Sequence, residues 1–103
     1  MTITTTRDTD SVQIVLQGCI DEVGADEIKA RFRDVVNTTP RRVTVDFAGV
    51  THLGSAGIGK LLVFYKDLAL HGGTLQLVRV PPATYRILRE MRLESIFAIE
   101  EGR

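Results

Sequence analysis

Ser55 is the hydroxyl in this chain whose surroundings give it chemistry. It lies in Gly54-Ser55-Ala56-Gly57-Ile58-Gly59-Lys60, after a run of β-branched and aromatic residues and before an apolar helical stripe. A serine at a helix start can cap it, its oxygen accepting from backbone N–H groups that have no intrahelical partner. A phosphate on the same serine would meet those donors and the positive end of the helix dipole. The local pattern suits both roles. Gly54, Gly57 and Gly59 leave the serine with little side-chain cover. Glycine inside a helix costs about 1 kcal/mol relative to alanine. Two such glycines in one turn fit a backbone kept open to an approaching partner.

Two other chemistries of this stretch are excluded. The spacing matches a P-loop up to its last position, where Leu61 replaces the Ser or Thr that holds magnesium. Leu61 belongs to the apolar stripe and cannot be a ligand. A nucleophilic serine would need a base within hydrogen-bond reach, and the histidines are His52 and His71. No G-x-S-x-G elbow surrounds Ser55. The single cysteine, Cys19, forms no internal disulfide, and no Cys/His cluster offers a metal site. The expectation is a protein that is not an enzyme and carries no cofactor or metal.

The elements that must position Ser55 follow from periodicity. Val43–Phe47 reads as a strand, and Ala48–Leu53 as the turn behind it. The helix opened by Ser55 has Ile58, Leu61, Leu62, Tyr65, Leu68 and Ala69 on one face. His71 and Gly72-Gly73 stop it. Its outer row, Ser55, Gly59, Val63 and Lys66, faces away from the core and forms a candidate docking surface. Upstream, Thr2–Thr6 and Ser11–Gln17 form a hairpin, and Gly18–Asp21 turns into a helix over about Val23–Asn37. That helix buries Ile28, Phe32, Val35 and Val36 and carries Asp21 near its start. Downstream come a strand at Thr74–Val78, a short helix opened by Pro81-Pro82 and a strand at Ile96–Ile99. In the short helix Tyr85, Leu88 and Met91 point inward. The tail Glu100–Arg103 is charged.

The order β-β-α-β-α-β-α-β gives an α/β fold, a small mixed sheet with helices packed against it. Only the N-terminal hairpin is antiparallel; the remaining strands are largely parallel, joined by right-handed crossovers. At 103 residues, one domain spanning 1–103 is expected. Thirteen basic and thirteen acidic residues balance, which argues against a nucleic-acid partner. No apolar run is long enough for membrane insertion, and the threonine-rich start lacks a signal peptide's regions, so a cytoplasmic location is expected.

The pattern Gly18-x-x-Asp21, Val43-x-Val-Asp46-Phe47, Ser55-x-Gly57-Ile-Gly59 and Gly72-Gly73 resembles the STAS domain. More narrowly it is similar to the anti-sigma-factor antagonists of bacterial partner-switching systems. The resemblance implies binding, while Ser55 is unphosphorylated, to an anti-sigma factor with serine-kinase activity. It implies release once that kinase phosphorylates Ser55, and resetting by a serine phosphatase. Sigma-factor availability would follow. Ser55 matches the phospho-acceptor, Asp21 a position near it and a candidate partner contact, and Asp46 an acidic position of structural character. The partner surface implied comprises Asp21, Gly54, Ser55, Ala56, Gly57, Gly59, Val63 and Lys66. Gly54 stands where the family usually has an acidic residue, Ala56 where a second hydroxyl is common, and Cys19 where glutamate is common. An alternative within the same likeness is an adaptor subunit on the ATPase of a lipid-trafficking ABC transporter, without phosphorylation.

Overall fold

The computed structural model describes residues 1–102. Its strands are β1 (Thr2–Arg7), β2 (Ser11–Ile20), β3 (Arg42–Leu53), β4 (Thr74–Val80) and β5 (Ala98–Glu101). The helices are α1 (Glu22–Asn37), α2 (Ser55–Leu70) and α3 (Pro82–Glu90), with a 3-10 turn at Leu93–Ser95. One sheet holds the five strands in the order β1-β2-β3-β4-β5. β1 is antiparallel to β2, and the other pairings are parallel. Both the expected element order and the mixed sheet are therefore present. Of the charged tail, Glu100 and Glu101 belong to β5, and Arg103 lies outside the described residues.

The alternation of β2 buries Val12, Ile14, Leu16 and Ile20 against the helices. Helix α1 supplies Ile28, Phe32, Val35 and Val36 to the same core, as its spacing predicts. Each such side chain contributes roughly 1.5–3 kcal/mol when fully buried. Arg31, beside that stripe, reaches back to the sheet and donates to Thr5 Oγ1 at 3.1 Å.

Three differences from the sequence reading have physical causes. Strands β2 and β3 run on to Ile20 and Leu53, through segments expected to turn. Glycines weaken local strand propensity, but the two strands pair along their length, and irregularities between Val15 and Gln17 and between Gly18 and Cys19 absorb the mismatch. Gly18 adopts a φ of +113°, which only glycine enters freely. On α2, Phe64 is buried, whereas Leu62 and Tyr65 are half-covered and Ala69 is exposed. The burial face is rotated toward α1, because Phe32 and Phe64 stack with centroids 4.0 Å apart and planes 10° apart. Near the C-terminus, Phe97 packs against Tyr65 at 5.6 Å, and the last strand begins at Ala98 rather than Ile96. Met91, expected to pack inward, is exposed. Helix α2 stops as expected, with His71 as C-cap, Gly72 at φ +78° and Gly73 N donating to Leu68 O at 2.8 Å.

Candidate functional site

The paired strands β2 and β3 end together: Cys19 is opposite His52, and Ile20 is opposite Leu53. Each strand hands over to a helix within one residue, Asp21 before α1 and Gly54 before α2. Gly54 N donates to Ile20 O at 2.9 Å, which ties the start of α2 to the end of β2. Two helix N-termini thus lie side by side at one end of the sheet, and Asp21 and Ser55 come to neighbouring positions there.

These helix starts differ. Asp21 is the N-cap of α1, and its Oδ1 accepts from Gly24 N at 2.8 Å. Gly54 is the N-cap of α2 and offers no side chain, so the first-turn N–H groups carry no side-chain cap. Ser55 is consequently the first helical residue and not the cap that its sequence context suggested. The reason is the length of β3: with the strand continuing to Leu53, Gly54 alone remains to take the half-helical position. Ser55 is exposed, and among the described residues its hydroxyl has no hydrogen-bond partner. An open helix start with a free serine at its first position can accept an anion close to the serine oxygen.

The glycines of this turn divide into two kinds. Gly59 is exposed, and a Cβ there would meet nothing within 4 Å. Gly57 is buried: a Cβ would come within 2.5 Å of Ile20 Cγ2 and 2.7 Å of Leu53 Cδ1. It lets α2 lie close on β2 and β3, and it is not part of the exposed face on which sequence reasoning placed it. Gly54 and Ala56 are half-buried, while Val63 and Lys66 are exposed as the helical row predicts.

Behind the site, Asp46 is buried in β3. Its Oδ1 accepts from Ala48 N at 2.9 Å, and its Oδ2 accepts from Arg79 Nε at 2.9 Å and from the Arg79 Nη2. The hydrogen bonds it donates to Asp46, followed by the carboxylate's charge, push the Arg79 guanidinium above its ordinary range, so it stays cationic. Arg79 has a φ of +51° at an irregularity of β4, between Leu77 and Val80. Sequence reasoning missed this residue: nothing in Gln76-Leu-Val-Arg-Val80 marks a left-handed position.

Sequence reasoning also missed a groove of about 250 Å³ between α1 and α2. Lys29, Arg33 and Val36 line it from α1, and Lys60, Val63 and Asp67 from α2, above the Phe32–Phe64 stack. No single-helix pattern shows it, because it exists only where two helices meet.

A family model described as the STAS domain matches residues 2–102. The chain is a member of the STAS domain family. A Bordetella bronchiseptica protein named "Putative anti-sigma factor antagonist BtrV" is 27% identical over 88 residues, 85% of this STAS domain and 76% of that protein. The crystal structure of an anti-sigma factor antagonist from Mycobacterium paratuberculosis superposes with a TM-score of 0.87 at 26% identity, covering 96% of this chain and 84% of that one. SpoIIAA, a Bacillus cell fate determinant, shares the fold in its phosphorylated form, with a TM-score of 0.76 at 18% identity over 95% and 90% of the two chains.

Proposed function

We propose that this STAS domain is an anti-sigma-factor antagonist switched at Ser55. Unphosphorylated, it binds an anti-sigma factor with serine-kinase activity through the end of the sheet where α1 and α2 begin. Phosphorylation of Ser55 releases it, and a serine phosphatase restores it. One observation carries the reading: Ser55 is exposed and unpartnered at the first position of a helix that has no side-chain cap. The likeness to anti-sigma factor antagonists over most of the chain supports the same reading.

The physics of release is charge. A phosphate adds roughly −1.5 to −2 units at pH 7. Within the chain, the helix start can tolerate that charge through its free N–H groups. Within a close protein contact the same charge must be desolvated, and Asp21 adds repulsion nearby. Adding phosphate therefore disfavours the complex more than it disfavours the free domain.

The experiment is incubation with an anti-sigma-factor serine kinase and ATP, followed by mass spectrometry of the peptide holding Ser55. Phosphate on Ser55, and none on the Ser55→Ala variant, is the expected result. An unmodified Ser55 beside a kinase active on its own substrate overturns the switch. Recovery of an ABC-transporter ATPase in its place, in a pull-down from the native cell, points to the adaptor role.

A further inference from the structure

We propose that the groove between α1 and α2 is a docking site for an acidic amphipathic helix presented by a protein partner. This rests on the reading that a partner lands on the end of the sheet where α1 and α2 begin, and it names the kind of segment that partner lays along the domain.

The groove is built by axial register. The Phe32–Phe64 stack places those two rings at the same height along two helices that run side by side. Lys29 and Lys60 therefore line it about one turn toward the helix N-termini, and Val36 and Asp67 about one turn toward the C-termini. Its length, from Lys29 to Val36 and from Lys60 to Asp67, is about 10 Å, or two turns of an incoming helix. Val63 stands on its wall with 57% of its surface exposed. An apolar side chain from a partner can rest between Val63 and Val36, over aromatic rings that are already covered.

Charge selects the occupant. Three cations, Lys29, Arg33 and Lys60, border the groove against one carboxylate, Asp67. Among the described residues the only ion pair is Arg79–Asp46, so none of these four side chains is held in an ion pair within the chain. Arg31, which lies beside Phe32 but is not a lining residue, is by contrast tied to Thr5. The groove's own cations are left for something else. An acidic segment satisfies them. A basic segment would meet like charge.

The test uses the full chain and two synthetic helical peptides of about four turns. Both carry leucines at i, i+3, i+4 and i+7; one is flanked by glutamates, the other has each glutamate replaced by lysine. Titration is followed by backbone amide shifts. The acidic peptide is expected to bind at least tenfold more tightly than the basic one, with shifts centred on Lys29, Arg33, Lys60 and Val63. The double variant Lys29→Glu/Lys60→Glu should reverse the preference, and Val63→Asp, at an exposed position, should abolish binding without unfolding. Equal affinities, no saturable shift at millimolar peptide, or shifts elsewhere overturn the proposal. So does a self-associated chain that Val63→Asp returns to monomer, since a second copy would then own the groove. Ser55→Asp should leave peptide binding intact, because Ser55 does not line the groove. A failed switch at Ser55 with peptide binding preserved thus separates this inference from the proposed function.

Discussion

Arg79 reaches from a left-handed position in β4 to the buried carboxylate of Asp46 in β3, its Nε 2.9 Å from Oδ2. The other carboxylate oxygen holds Ala48 N at 2.9 Å, where β3 leaves its pairing with β4. A single acidic side chain thus closes the bend in the strand that leads to Ser55. Replacing Asp46 with alanine takes the acceptor from the Ala48 N–H and from the exposed Arg79 guanidinium, and a lower urea midpoint is the expected result. Arg79→Gly should cost less than Arg79→Ala, because glycine enters the left-handed region freely and alanine does not.

Gly57 and Gly59 are two residues apart on α2, and alanine should act on them with opposite sign. At Gly59 the added methyl meets open space, and the helix gains about 0.5–1 kcal/mol. At Gly57 it collides with Ile20, a β-branched side chain with little freedom to turn aside. Overpacking costs about 1–3 kcal/mol, which outweighs the propensity gain. Denaturant midpoints of the two variants check this. A midpoint raised by Gly57→Ala would show that Gly57 is not a packing residue, and one lowered by Gly59→Ala that the space beside Gly59 is not open.

Ser55→Ala should change stability by less than about 0.5 kcal/mol, because the serine is the first helical residue and its side chain caps nothing. If Ser55 were the N-cap, about 1 kcal/mol would be lost. Under the proposed function, calorimetry against the anti-sigma factor should find Ser55→Ala binding like the unmodified chain and Ser55→Asp binding at least tenfold more weakly. Equal affinities would remove the switch.

Asp21 holds a cap and, under the proposed function, a partner contact, and two substitutions separate them. Asp21→Ala loses the bond to Gly24 N and about 1 kcal/mol of stability. Asp21→Asn keeps the capping oxygen and removes the charge, so thermal unfolding should barely move. A weaker complex with Asp21→Asn at unchanged stability assigns the carboxylate to the partner. An unchanged complex leaves Asp21 a cap alone.

The order of strands and helices was legible from alternation and helical spacing, because both report which side of a local element is apolar. So was the exposed row of Ser55, Gly59, Val63 and Lys66, since a single helix defines its own outer face. The STAS likeness was carried by short motifs in order along the chain. What local pattern could not reveal depends on neighbours distant in sequence. Pairing with β2 carried β3 on to Leu53 and so moved the cap from Ser55 to Gly54. Contact with Ile20 and Leu53 turned Gly57 from an exposed glycine into a packing one. The stack of Phe32 on Phe64 rotated α2 and left a cation-bordered groove beside it. Periodicity says which way a side chain faces on its own element; only the assembled fold says what it faces.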